Sequence, residues 1–445
     1  MTHPPFSVKK IIDKSRFSCP PISRRNRVQK PIEFFEFQED AVPTQAHKTS
    51  PLVSPEILLQ RAREMVPVLA SRAKKTEELR RVPDETVAEM QAAGFFRVLQ
   101  AKQYGGYEMD PQVFYDICMT LAEGCMSTAW IYGVIGVHNW QLACFDPRAS
   151  EEVWGSDTSV LVASTYMPKG QVKPVEGGFQ FSGRWGFSSG IDHAQWVLLG
   201  GLIFPADGPG NGKAPPEYRT FLLPRKDFEV IDTWHVMGLK GTGSKDIVVK
   251  DVFVPEYRTH KATDGFMGTN PGRHTFTADL YKLPFGQIFV RAVSSAAIGG
   301  LQGALNTFLD FAKVRVGDMG NKTSEQAPAQ LAAAEAAQAI DEMKLVLHRN
   351  FEVLMGKIRA NQPLDDITQR SHFRFQAAQV VDRCARHAYQ LFSACGGRGI
   401  FTDFPLHRYM HDIYAARGHY ANNPEQFGRN YGSVLLGRDN NDYFL

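Results

Sequence analysis

The chain has six cysteines, at 19, 118, 125, 144, 384 and 395, and they form no C-x-x-C pair and no metal-ligand spacing. That pattern excludes a disulfide framework and the familiar zinc sites, and it predicts reduced thiols in a cytoplasmic interior. Net charge is also scarce: 50 basic against 47 acidic residues leave +3. So small an excess excludes nucleic acid as an expected partner. The longest apolar stretches, such as 129–137, fall far short of the roughly 20 residues that cross a bilayer, so no membrane is expected. No strand–G-x-G-x-x-G–helix unit for a bound nicotinamide occurs, and Gly396-Gly-Arg-Gly399 follows a helical run instead of a strand. A metal triad, a long internal repeat and a heptad array are missing too.

What is present is an ordinary globular composition, 43% hydrophobic and 22% charged, over 445 residues. That length allows two or three domains around a large core. Residues 1–50 differ from the rest: over 9–30, Lys9, Lys10, Lys14, Arg16, Arg24, Arg25, Arg27 and Lys30 are relieved only by Asp13, with prolines between them. No apolar run of signal-peptide length follows, and the segment is expected to be a disordered basic extension. From Pro55 onward, apolar residues at three- and four-residue spacing predict helices through 51–157, including one opened by Pro83-Asp84 and closed by Gly94. Between 158 and 285 the texture changes to short alternating runs, 159–165, 178–185, 196–203, 218–223 and 246–254, broken by Gly, Pro and Asp. They predict a small antiparallel β-domain with 205–216 as an exposed loop. Periodic stretches at 326–339, 343–358 and 376–392 predict a helical bundle over 286–445. The fold class expected is therefore α+β, helices on either side of a β-domain.

The segment Trp234-His-Val-Met-Gly-Leu-Lys-Gly-Thr-Gly-Ser244 places three glycines beside the Thr242/Ser244 hydroxyl pair and runs straight into an Ile/Val/Val strand. Glycines permit a tight turn that a ligand could approach closely, although such a turn can equally be a plain connector. Further short signatures surround it: Glu78-Leu-Arg-Arg-Val-Pro-Asp-Glu-Thr, Gln103-Tyr-Gly-Gly, Ser127-Thr-Ala-Trp130, Val137-His-Asn-Trp-Gln, Ala163-Ser-Thr-Tyr-Met-Pro and Phe187-Ser-Ser-Gly-Ile-Asp-His193. In this order, from about residue 55 to the C-terminus, they resemble the acyl-CoA dehydrogenase superfamily. Within it they are similar to the oxygenase components of two-component flavin-dependent phenol hydroxylases, the group of 4-hydroxyphenylacetate 3-hydroxylase and the secosteroid A-ring hydroxylase.

That resemblance implies an acyl-CoA dehydrogenase-like fold, with an N-terminal helical domain, a central β-domain and a C-terminal four-helix bundle. It also implies a flavin between β-domain and bundle, and a homotetramer. Reduced FMN or FAD, delivered by a separate NAD(P)H:flavin reductase, would react with O₂ to a C4a-hydroperoxide that hydroxylates a small phenol ortho to its hydroxyl. By matching motif, Ser189 contacts flavin N5 with Ser188 beside it, Ser164 and Thr165 line the ring edge, and Trp130 forms an aromatic wall. His138 stands near the reacting face. Phe289 reaches the flavin from a neighbouring subunit in relatives, and Asn422 and Asn423 lie near the ring. Gly286 stands where the hydroxyphenylacetate enzyme has an arginine, and the run from Tyr281 to Gly286 is closer to the secosteroid enzyme, which implies a bulky or apolar phenol.

His419 carries the chemistry in this reading. It stands, with Tyr420, where acyl-CoA dehydrogenases commonly place a glutamate, and no carboxylate accompanies it. Ordinary pKa values near 10 for a phenol, about 6.5 for imidazole and about 4.3 for glutamate make imidazole the better-matched base by roughly 3 kcal/mol. His419 is therefore expected to deprotonate the phenol. The competing readings are an oxygenase acting on an indole or on a sulfur or nitrogen atom, an acyl-CoA dehydrogenase-like oxidoreductase, and an idle flavin-binding member.

Overall fold

The computed structural model describes residues 53–205, 216–317 and 320–445. The basic extension and most of the 205–216 loop expected from sequence lie outside the described residues. Five helices open the chain: α1 (Pro55–Leu79), α2 (Asp84–Ala92), α3 (Pro111–Gly124), α4 (Met126–Gln141) and α5 (Pro147–Trp154). Three of them, α1, α3 and α5, carry proline in the first turn, where its missing N–H has no helical partner to lose. Helix α4 is apolar on every side, and all sixteen of its residues are buried. A helix with that composition belongs at the centre of a core.

Seven strands follow: β1 (Val162–Val175), β2 (Gly178–Ser188), β3 (Trp196–Ile203), β4 (Glu217–Pro224), β5 (Glu229–Ile231), β6 (Lys245–Pro255) and β7 (Thr259–Lys261). They form one sheet in the order β5-β6-β2-β1-β3-β4-β7. The antiparallel β-domain expected from sequence is corrected here: β1 and β3 run parallel, with Ser164 opposite Leu198, and the sheet is mixed. Residues 189–195, which include a turn of 3-10 helix at Ile191–His193, carry the chain across β1 so that β3 enters in the same direction. Strand alternation divides the sheet between two cores. Leu198 and Leu222 join the helical core, while Val197, Leu199, Phe221 and Leu223 face a separate cluster around Phe181 and Trp185.

Helices then return as α6 (Ala262–Met267), α7 (Phe285–Ala292), α8 (Ser295–Val314), α9 (Ala327–Arg359), α10 (Ile367–Ala394), α11 (Leu406–Arg417) and α12 (Pro424–Leu435). The periodic stretches 326–339 and 343–358 belong to the single 33-residue helix α9. One stretch among the described residues, Phe285–Val314, is long and apolar enough to cross a membrane, and its apolar window is 89% buried within the fold. The layout of helices, sheet and helices matches the fold expected from sequence.

Candidate active site

Helix α4 presents Trp130 to the end of β2. There Gly190, at φ +71°, turns the chain so closely over α4 that a Cβ would lie 2.6 Å from Ile135 Cδ1. Gly190 N–H donates to Thr242 O at 2.8 Å, which ties this turn to the glycine-rich segment. Four hydrogen bonds then run in series. Trp130 Nε1 donates to Ser189 Oγ at 3.2 Å, Ser189 and Ser244 hydroxyls lie 2.7 Å apart, Ser244 and Thr242 hydroxyls 2.6 Å, and Thr242 Oγ1 donates to Leu239 O at 2.8 Å.

Gly238 and Gly241 of this segment serve the protein's own packing, in keeping with the connector reading of the turn. A Cβ at Gly238 would sit 2.1 Å from His411 O on α11, and one at Gly241 2.2 Å from Thr76 Cγ2 on α1. Asp412, on α11, accepts from Leu239 N–H at 2.6 Å, and burial raises its pKa to about 7.

A second group of contacts begins at His138 on α4. Its Nδ1 lies 3.1 Å from Gln141 Oε1 and 3.2 Å from the Tyr166 hydroxyl, and Tyr166 also donates to Gln141 Oε1. With Nδ1 donating to the amide oxygen, the neutral ring keeps a lone pair on Nε2, which is buried without a partner. Burial lowers this imidazole to a pKa of about 3. Tyr166 packs edge-on against Phe289 at 4.9 Å; Phe289 lies 6.3 Å from the His419 ring, and His419 5.9 Å from Trp130. These contacts join His138, Tyr166, Phe289, His419, Trp130 and Ser189 into one wall. Phe289 meets His419 within a single chain.

His419 caps the 3-10 turn at Tyr420–Asn422, its Nδ1 accepting from Ala421 N–H at 3.1 Å. A backbone N–H can only donate, so the neutral ring bears its proton on Nε2. The ring is enclosed although the residue as a whole is half-buried, and burial, with the nearby Arg374 charge, lowers its pKa to about 4. The lowered pKa narrows the basicity advantage over a carboxylate that was expected from sequence, and the nitrogen left available is a donor.

The other expected residues divide. Ser188 is fully buried with an unpartnered Oγ, and Asn422 donates through Nδ2 to Val293 O and Ala416 O, both at 2.9 Å, while its Oδ1 stays unpartnered. Ser164 is half-buried, on the same side of β1 as Tyr166, whereas Thr165 alternates to the opposite face and donates to Gly186 O at 2.9 Å. Asn423 is exposed and caps α12 by accepting from Gln426 N–H. Tyr166 and Gln141 were not singled out from sequence, although both lie inside quoted motifs. Their signal was position, two residues after Ser164 and three after His138.

The site fits a flat, hydrogen-bonding heterocycle such as a flavin. Aromatic faces at Trp130 and Phe289 share the wall with His138, whose Nε2 is buried without a partner, and unpartnered buried polar atoms also occur on Ser188, next in sequence to Ser189, and on Asn422, three residues after His419. Unmatched buried polar groups cost about 1–3 kcal/mol each, and a polar ring that met them would remove that cost. A narrow cleft with only ≈10 Å³ of water-sized space adjoins, bounded by Gln141, Phe285, Gly286 and Tyr443–Leu445. Among the described residues no group of three or more His, Cys, Asp or Glu could hold a metal ion.

The family model for the acyl-CoA dehydrogenase N-terminal domain matches residues 56–146, and that for the C-terminal domain matches 292–424. The chain is 38% identical over 383 residues to the flavin-dependent monooxygenase oxygenase subunit HsaA of Rhodococcus jostii, covering 85% of this chain and 98% of that protein. It is 28% identical to the p-hydroxyphenylacetate 3-hydroxylase oxygenase component of Acinetobacter baumannii, covering 88% of this chain and 92% of that protein. The crystal structure of 3-HSA hydroxylase from Rhodococcus sp. RHA1 superposes with a TM-score of 0.82 at 35% identity, over 87% of this chain and 99% of that one. With that fold, that wall of residues and those relatives, the chain belongs to the acyl-CoA dehydrogenase superfamily, among the oxygenase components of flavin-dependent monooxygenases.

Proposed function

We propose that this chain hydroxylates a phenol at the carbon ortho to its hydroxyl, as the oxygenase component of a two-component system. Reduced FMN or FAD from a separate flavin reductase, when bound, supplies the two electrons with which O₂ gives one oxygen atom to the ring and the other to water. The observation that carries this reading is the single wall joining Ser189, Trp130, His419, Phe289, Tyr166 and His138. Trp130, Phe289 and Ser188, with Asn422 behind them, would hold the flavin ring, and Ser189 would meet its N5. Ser164, on the Tyr166 side of β1, would lie at the ring edge. Thr165 and Asn423, whose side chains serve β2 and α12, would contribute through backbone only.

His419 acts on the phenolic oxygen. Its Nε2–H donates to that oxygen, so that the phenol binds as its phenolate with its proton released to solvent, and the ortho carbon becomes electron-rich. Apolar walls keep water out, which matters because activated oxygen is otherwise lost as peroxide. The unpartnered Nε2 of His138 accepts a proton-bearing group on the reacting face.

We further propose a homotetramer in the cytoplasm. The five described cysteines are free and buried, as a reducing compartment allows. The test gives purified protein chemically reduced flavin, O₂ and a panel of phenols, with light scattering on the same preparation. Catechol formation, from particles of four times 49.8 kDa, is the expected result. Oxidation of an indole or a thioether but no phenol, or reduction of bound flavin by an acyl thioester, would replace this reading.

A further inference from the structure

The hydroxyl series behind Ser189 has a fixed direction. At one end the indole N–H of Trp130 can only donate; at the other the carbonyl of Leu239 can only accept. Thr242 approaches that carbonyl at 2.8 Å, a distance two oxygens hold only when a proton lies between them, so the single Thr242 proton is committed there. The Ser244 proton must then point to Thr242, 2.6 Å away, and the Ser189 proton to Ser244, 2.7 Å away. Ser189, Ser244 and Thr242 are 9%, 3% and 2% exposed, so bulk water has little access to scramble the order. Ser189 Oγ is left with two lone pairs, one taken by Trp130 and one free.

We propose that Ser244 and Thr242 are positioning residues that make Ser189 an acceptor toward the flavin and so select its reduced form. This rests on the reading of Ser189 as the N5 contact. Reduced flavin carries a hydrogen on N5 and can donate to the free lone pair. Oxidised flavin has a lone pair at N5, and against Ser189 it would face another lone pair. The glycine-rich turn therefore contributes to redox-state recognition from behind, without touching the ring. Such selectivity suits a chain that takes reduced flavin from elsewhere and must release the oxidised product.

The test is equilibrium binding of FMN, oxidised in air and dithionite-reduced under anaerobic conditions, to wild type, Ser244→Ala, Thr242→Val and Ser244→Thr. Wild type is expected to bind reduced FMN at least tenfold tighter. Ser244→Ala frees the Ser189 proton to turn toward N5, so the ratio of the two affinities should shrink by about fivefold or more, the worth of one neutral hydrogen bond. Thr242→Val should act in the same direction, and Ser244→Thr, which keeps a hydroxyl, should restore the ratio. A merely structural role would weaken both forms alike and leave the ratio unchanged, which overturns the inference while flavin binding stands. If wild type binds neither form, the N5 reading falls and the inference with it.

Discussion

A hydrogen-bond partner decides what His419 can do more than its residue type does. The Ala421 N–H occupies Nδ1, leaving an Nε2–H donor, and burial keeps the ring neutral with a pKa near about 4. Replacing it with glutamine puts an amide N–H near the position of Nε2, whereas alanine removes the donor. We expect His419→Gln to keep hydroxylation within about tenfold of wild type and His419→Ala to lose about 10²-fold, with reduced-flavin binding retained in both. Single-turnover catechol yield reads the difference, and equal loss in the two variants would return His419 to the role of proton acceptor. The rate should also be insensitive to pH between about 5.5 and 8 on account of this ring, since its titration lies below that window. Residue types at the site were legible in the motifs, and their hydrogen-bond assignments were not. Nothing in a string of letters says that Thr165 gives its proton to Gly186 O, that Asn423 caps α12, or that the Ala421 backbone reaches back to His419.

Elements tell a similar story through the turn between β5 and β6. Its glycines read as a site for close approach, and close approach is what they provide, but to α11 and α1. The contact is locked by Asp412 accepting from Leu239 N–H. Asp412→Ala would leave that N–H buried without a partner and cost about 1–3 kcal/mol, displacing the carbonyl end of the hydroxyl series as well. Asp412→Asn keeps an acceptor oxygen and should cost less than half as much. Urea midpoints of the two variants check this, and equal losses would show that the carboxylate's size or charge, not its acceptor, holds the turn. Helices and strands were legible because periods of 3.6 and 2 reflect which face is buried. The β1–β3 pairing was not, because parallel neighbours are chosen by a crossover whose path no local pattern records. The same holds for Gly286: its missing side chain leaves room for Phe444 O, which a Cβ would approach to 2.1 Å, from a segment more than 150 positions away.

At the scale of the whole molecule, the buried titratable groups set how stability responds to acid. His138, His193, His260, His372, His411 and His419 all have pKa values lowered first by burial, to about 3 for His138 and about 4 for His419. Unfolded imidazoles bind protons near pH 6.5, whereas these folded ones bind them only at lower pH, so their contribution is complete above 6.5 and is lost as pH falls toward the folded values. Asp412, Asp442 and Glu123, raised by burial, and His348, raised first by its hydrogen bond to Asp116, act in the opposite sense. The three carboxyls hold protons when folded that they release when unfolded, and Asp412 loses that contribution as pH rises toward about 7. Six groups that favour the fold at neutral pH stand against four that favour it in acid. We therefore expect the urea midpoint to fall as pH is lowered from 7 to 5. Removing one opponent should sharpen the response, so Asp412→Asn is expected to lose stability more steeply than wild type over the same interval. A midpoint that rises on acidification, or an Asp412→Asn profile parallel to wild type, would mean that the buried imidazoles take up protons in the folded state and that water reaches the wall around His138 and His419.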